Sequence, residues 1–529
     1  MQLQTIHPKE HPSSLTYRTK YESRLDLTPE IRVKIGLIAE YGNSYGRMSR
    51  LAKRYGISRT TVHSIHNHLK AVLSSGFSKI CQNPVDKMAL REASIRQIVL
   101  QRLVGQSSLS GISTILTTNG HSHTSQGFIS ETLHLIGDKL PQVIDYQGTI
   151  AWASDEIFHL GSVPILITVE PVSGAIIQIQ THRGNLKEGW LEHWRTAIDM
   201  GISPSDLTTD EGWLMRAARL DLLKESPNTG FQPDTFHAVS HRLGLFRLRL
   251  EKAADKAIQA EYEREWLCEN TQTLGQLPKF EQQWVEAYLN TEKAIAVYDQ
   301  FSILYRSILD QLNIFDQNGE PRQRAIAQSE TLCAIEMMKD LMKDLAIPGL
   351  NKELDGILKL VPNLFRFLDK ANECCKKMIE NKLIPAEWLP FWCKAWQYQK
   401  QSFKVKGHYA YQQWLKQKAK NWLDWIETHT IMFRPQFNSL KDTIFNELES
   451  LIQSSAAVEM VNSVLRPFLN ISKDQLSQQA LNLIMDYYNH KRFIRGKRKG
   501  KSPIEILTGQ THNQPWLDRI MDIVRIHHI

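Results

Sequence analysis

Three short β-rich runs near the middle of the chain constrain the fold most. They are Thr149–Phe158, Val163–Glu170 and Gly174–Gln180. Each is dense in β-branched and aromatic residues, and Pro171-Val172-Ser173-Gly174 reads as the hairpin turn between the second and third. Asp155 interrupts the first run where an apolar residue belongs. A carboxylate in a buried sheet is costly unless it is paired or bound to a metal. The plain structural reading is a strand-end Asp facing water.

The segments that follow give the sheet its cover. A helix is predicted over Asn185–Met200, with Leu186, Trp190, Trp194 and Ile198 on one face. A short strand, Asp206–Glu211, ends in acids, and a helix follows over Gly212–Lys224. Phe231–His237 leads into a helix carrying Leu243, Leu245, Phe246, Leu248 and Leu250. The order β-β-β-α-β-α-β-α predicts an α/β (α+β) fold, a mixed sheet flanked by helices. From Glu251 to Ser450 strand signals stop. The segment is rich in Glu, Lys, Gln and Leu and carries Trp266, Trp284, Trp388, Trp392, Trp396, Trp414, Trp422 and Trp425. It reads as a large all-α insertion whose tryptophans are mostly core, with stacking on an unpaired base as the alternative for a few.

A chain of 529 residues exceeds one ordinary core, and two to four domains are expected. No apolar run reaches membrane-spanning length, and Met1-Gln2-Leu3-Gln4-Thr5 lacks signal-peptide form. The six cysteines are scattered without a Cys-x-x-Cys pair, which suits a reducing compartment. The net charge of +8 is modest, but basic residues cluster near both ends, a pattern that suits a polyanion.

Near the N-terminus, Thr28 caps a helix that begins at Pro29. Arg47–Tyr55, the turn Gly56-Ile57-Ser58 and Arg59–Leu69 then form a helix-turn-helix pattern. Leu51, Ala52, Tyr55, Val62, Ile65 and Leu69 face inward, leaving Arg59, Thr60, Thr61, His63 and Ser64 for a DNA major groove. The bland counterpart is a three-helix bundle with a solvated basic face. A second helical unit, 85–145, reads either as another helix-turn-helix or as a spacer packed on the next domain.

Late in the chain, Glu459, Asn462 or Ser463, and Arg466 share one helix face, with Val458, Val461, Leu465 and Phe468 on the other. Alone, this reads as an exposed Glu–Arg face. The run Asn489–Lys501 holds Lys491, Arg492, Arg495, Lys497, Arg498 and Lys499, dense enough to grip phosphates. Ser502 caps a short helix from Pro503 to Gly509.

As an ordered set, Asp155, Asp210 and Glu459 resemble the catalytic triad of the RNase H-like transposases and integrases, the DDE superfamily. Glu459-Met460-Val461-Asn462-Ser463-Val464-Leu465-Arg466 is similar to the Glu-x-x-Asn-Ser-x-x-Arg helix of bacterial insertion-sequence transposases. Asp234-Thr235-Phe236-His237 resembles the Asp-x-Phe-His of some members, and Asn489–Gly509 the end of their catalytic domains. The gap between Asp210 and Glu459 is far wider than in compact integrases, and a helical insertion accounts for it.

The resemblance implies a division into an arm (1–28), a helix-turn-helix DNA-binding domain (29–75), the second helical unit (85–145) and an RNase H-like core (149–250). The insertion (251–450), the last core helices with the basic tail (451–510) and a C-terminal helix (511–529) complete it. It implies a DNA transposase that binds element ends, hydrolyses a strand and joins the 3′-hydroxyl to target DNA. Hard oxygen ligands suit Mg²⁺, with Mn²⁺ as substitute, and two ions roughly 3.5–4 Å apart serve such chemistry. Asp155 would bridge them, and Asp210 and Glu459 would bind one each. Arg466 would hold a phosphate or orient Glu459; Asp234 and His237 would support the site or contact DNA, with helix capping the plainer role for Asp234, and Asn462 would support the site. Asp206, Glu156 and Glu211 lie nearby and are not expected to be ligands. The implied partners are double-stranded terminal-repeat and target DNA and further copies of the chain, in a cytoplasmic, nucleoid-associated protein with no membrane contact. The rival expectations are a non-catalytic helix-turn-helix DNA-binding protein derived from a transposase, and an RNase H-like nuclease without strand transfer.

Overall fold

The structure is a computed structural model. It describes residues 27–41, 45–80, 84–158, 163–210, 212–344, 349–405, 407–430, 436–473, 476–496 and 498–529, with backbone alone for 76–80, 84–87 and 342–344. Glu211 and Lys497 lie outside the described residues, as does nearly all of the N-terminal arm. The chain forms two compact units, one ending at Ser94 and the other running from Ile95 to Ile529. Among the described residues, no helix is long and apolar enough to cross a membrane.

In the first unit, α1 (Pro29–Tyr41), α2 (Arg47–Tyr55) and α3 (Arg59–Ile80) enclose a small core of Leu27, Ile35, Ala39, Leu51 and Val62. Gly56 closes α2 in the left-handed conformation (φ 60°), and the Ile57 N–H bonds back to the Ala52 carbonyl. Ser58 caps α3 by accepting from the Thr61 N–H at 3.0 Å. Arg59, Thr60, His63 and Ser64 are exposed, and Thr61 is half-buried.

The second unit is built on a five-stranded sheet of order β3-β2-β1-β4-β5. The strands are β1 (Gly148–Ile157), β2 (Ile165–Val169), β3 (Ile176–Thr181), β4 (Ile202–Thr209) and β5 (Gly230–Pro233). β1, β2 and β3 are antiparallel neighbours; β4 and β5 run parallel to β1. The mixed sheet expected from the sequence is therefore present, with its strands in the expected order. α4 (Pro84–Leu103), which spans the boundary between the units, α5 (Leu109–Thr118) and α6 (Gln126–Asp138) supply Ile95, Ile98, Ile112, Ile129 and Ile136 to the core beneath one sheet face. α7 (Leu186–Asp199) and α8 (Trp213–Glu225) cover the other face through Trp190, Trp194, Met215 and Leu222.

A six-residue π-helix, Phe236–His241, leads from β5 into a helical block. The block comprises α9 (Arg242–Asn270), α10 (Leu277–Gln311), α11 (Arg324–Asp344), α12 (Leu350–Leu364), α13 (Arg366–Glu380), α14 (Leu389–Lys404), α15 (Tyr409–His429) and α16 (Phe437–Glu449). It has its own core, including Phe301, Phe365, Trp392 and Trp396. The chain then returns to the sheet through α17 (Ala456–Ile471), α18 (Gln478–His490), α19 (Pro503–Thr508) and α20 (Trp516–Ile526). Val458, Val461, Leu465 and Phe468 of α17 are buried under the sheet, the face the sequence pattern assigns them.

Candidate functional site

Pairing along the sheet brings the acids together. In the β1–β4 ladder Ser154 pairs with Thr209, and in the β4–β5 ladder Thr209 pairs with Pro233. Asp155, Asp210 and Asp234 each follow one residue later, so three acids stand side by side at the C-terminal ends of three parallel strands. In open α/β sheets this edge is where ligands bind.

Side chains alternate across a strand, which assigns the faces. Ala153 and Ile157 join the core shared with α17, so Asp155, at the same parity, faces the helix that carries Glu459. Trp152 and Ser154 face α7, and so does Glu156, whose Oε2 accepts from Trp190 Nε1 at 3.2 Å. Burial, then the charge of Asp210, pushes the Asp155 carboxyl up to about 7, and Glu459 and Asp234 add to the push. Burial, then Asp210 and Asp155, lifts Glu156 to about 8 against the opposing Trp190 bond. Acids from β1, α17 and the residue after β4 thus share one electrostatic neighbourhood.

Glu156, expected nearby but not as a ligand, shares this neighbourhood. A side-chain carbon on Gly212 would lie 3.2 Å from Asp210 Oδ1 and 3.8 Å from Glu156 Oε1, so the two carboxylates flank one glycine. The sequence signal was its position beside Asp155 at a strand end, where β1 has outrun its β4 partner and either face can reach the edge. Asp206 is paired with Lys370 (2.5 Å) and Arg366 (3.7 Å).

The donor set is all oxygen, the ligand type that suits a hard divalent cation. As placed, no three His, Cys, Asp or Glu side chains among the described residues gather around a single point. Glu459 is half exposed and lies 3.8 Å from Arg466.

Asp234 serves the framework. Its Oδ1 accepts from the Phe236 and His237 N–H groups (2.7 and 3.1 Å), and its Oδ2 accepts from the N–H and Oγ of Ser455 (2.7 and 2.5 Å). Ser455 is the residue before α17, and its carbonyl accepts from the Val458 N–H at 2.7 Å. Thr235 adds two bonds to the Gln453 carbonyl. Asn462 is buried with its Oδ1 unpartnered. The His237 ring sits beside Phe236 and His241.

The basic run is partly consumed in holding itself. Arg492 pairs with Glu505 at 2.6 Å, and the Ser502–Glu505 capping box begins α19. Arg498 donates to the Val172 carbonyl in the β2–β3 turn, and Lys491 Nζ donates to Tyr487 Oη at 2.6 Å. Arg495 and Lys499 are exposed. Asn489, whose role was not legible in the sequence, bonds both the N–H and the carbonyl of Ile176 at 2.8 Å and clamps α18 to β3. Compared with protein-family models, with curated proteins and with solved structures, the chain matches none.

Proposed function

We propose that the chain is a DNA transposase of the DDE type, which cleaves DNA strands at an element end and joins the freed 3′-hydroxyl to target DNA. The observation that carries this reading is that Asp210, after β4, and Glu459, on a helix more than two hundred residues later, both act on buried Asp155 of β1. Asp155, Asp210 and Glu459 would hold the divalent ions, and Glu156 lies close enough to Asp210 to bias how its carboxylate is presented. Bound Mg²⁺ ions supply Lewis acidity and an activated oxygen nucleophile. The chain's own part is to hold the carboxylates at the rim of a rigid sheet and to place Arg466 beside Glu459, where a DNA phosphate would exchange with that ion pair. Exposed Arg59, Thr60, His63, Arg495 and Lys499 support a DNA partner, and Thr61 is available in part.

The half-exposed Glu459 and its Arg466 partner favour one rival, a DNA-binding protein without catalysis. Incubating the protein with Mg²⁺, DNA flanking its own gene and a supercoiled target separates the readings. Joined products support the transposase; cleavage alone supports a nuclease; metal-independent binding alone supports the rival.

A further inference from the structure

The far end of the α9–α10 hairpin has no core to rest on. From 255 to 290, which takes in the distal parts of both helices and the turn between them, no residue is buried. The α9 share of this run, 255–270, is about 24 Å long at 1.5 Å per residue. The two helices hold each other, with Arg264 donating to the Gln283 side chain at 3.4 Å. Large apolar groups are left outside: Tyr262 is 68% exposed and Trp266 61%, and Val285, Tyr288 and Leu289 of α10 are exposed as well.

Ile258, Tyr262 and Trp266 recur every four positions and so form one stripe along α9. They line a shallow groove together with Leu267, Asp255 and Glu263, and no Lys or Arg among the described residues lines it. Glu263 accepts from Gln259 Nε2 at 3.3 Å, and neither carboxylate has an ion-pair partner among the described residues. From 255 to 290 the sequence carries seven Asp or Glu against three Lys or Arg, in a chain of net charge +8.

Exposed apolar stripes mark contact surfaces, and here the carboxylates select among occupants. Nucleic-acid phosphates and anionic lipid headgroups are repelled by Asp255 and Glu263. A second copy of the hairpin would set acid against acid. A guanidinium group suits both parts of the groove, since it pairs with carboxylates and stacks on Tyr and Trp faces. A helix with an apolar stripe beside arginines matches the groove along its length. We infer that the α9 face of the hairpin docks an Arg-bearing amphipathic helix of a partner protein, with apolar side chains on Ile258, Tyr262 and Trp266 and guanidinium groups on Asp255 and Glu263. This goes beyond the transposase reading and does not depend on it, since the sheet-edge acids take no part.

The test is fluorescence anisotropy on the full chain with a labelled Leu/Arg peptide of about 18 residues, its leucines at helical spacing, and a Leu/Glu peptide of the same pattern. Wild type is expected to bind the Leu/Arg peptide and not the Leu/Glu peptide. Tyr262→Ala/Trp266→Ala is expected to weaken that binding at least about tenfold, with wild-type circular dichroism. Asp255→Asn/Glu263→Gln is expected to weaken it about fivefold and to make it less sensitive to salt. No binding of the Leu/Arg peptide overturns the inference, as does binding that both variants leave unchanged. Sedimentation velocity covers the other occupant: a wild-type dimer that becomes monomeric in Tyr262→Ala/Trp266→Ala would seat a second copy in the groove and overturn the assignment to a partner protein. None of these readouts involves cleavage, so failure here leaves the transposase reading where it stood.

Discussion

Asp234 and Ser455 are 221 positions apart in sequence and joined by two hydrogen bonds through one carboxylate oxygen. Asp234 follows β5 as Asp210 follows the neighbouring β4, and Ser455 opens the helix of Glu459. The helical block leaves and rejoins the core at this clamp, which is how a distant acid returns to the sheet edge. Asp234→Ala orphans buried N–H groups and is expected to cost about 3 kcal/mol, whereas Ser455→Ala keeps one of the two bonds and is expected to cost about 1 kcal/mol. Urea denaturation of the two variants and their double checks this: the double should resemble Asp234→Ala, and additive losses would show the pair is uncoupled.

His193 is fully buried between Thr168 Oγ1 (3.0 Å) and Gln180 Oε1 (3.3 Å), and burial pushes its pKa down to about 3. The unfolded chain takes up a proton near pH 6.5 that the folded chain refuses. Stability is therefore undiminished above pH 6.5 and falls as pH drops from there toward 3. His193→Gln removes that proton uptake. Its melting temperature should fall less than that of wild type between pH 7 and pH 5, and parallel profiles would contradict the assignment.

The carboxylates at the sheet edge give the opposite slope. Asp155 and Glu156 hold protons up to about pH 7 and 8, against 3.8 and 4.5 ordinarily. Their contribution is favourable at low pH and is lost as pH rises from about 4 through 8. Asp155→Asn should flatten that loss in metal-free protein. Mn²⁺ at a hundredfold excess over its Kd should add about 2.7 kcal/mol to the wild type at pH 8 and far less to Asp155→Asn. Equal Mn²⁺ responses in the two proteins would place the ion elsewhere.

Asn489 satisfies both backbone groups of Ile176 with one side-chain amide. Asn489→Ala leaves a buried N–H and a buried carbonyl unpaired and is expected to cost about 2 kcal/mol. Hydrogen exchange should show the β3 amide of Ile176 losing protection; an unchanged Ile176 would mean another donor replaces Asn489.

Local rules carried the strands, the turn at Gly174 and the caps at Ser58, Ser502 and Gly509, because alternation, helix periodicity and capping chemistry act over a few residues. The apolar face of α17 was legible for the same reason. What the sequence hid depends on contacts between distant segments. Glu156 looked like a neighbour of no account until Gly212 folded Asp210 against it. Arg492 and Arg498 looked like free phosphate grips, but Glu505 and the β2–β3 turn engage them. Asp234 carries only a local capping signal in sequence, and its hold on Ser455 follows from the sheet register.

The central claim is that Asp155, Asp210 and Glu459 act as one metal-binding catalytic set. Its most direct test is Mg²⁺-dependent cleavage of DNA flanking the gene by wild type, Asp155→Asn, Asp210→Asn and Glu459→Gln, each first shown to be folded and to bind that DNA. The account predicts cleavage by wild type and losses of at least about a hundredfold, equivalent to about 2.7 kcal/mol of barrier, in each variant. Wild-type rates in any one variant, or Mg²⁺-independent cleavage by all four proteins, would contradict it.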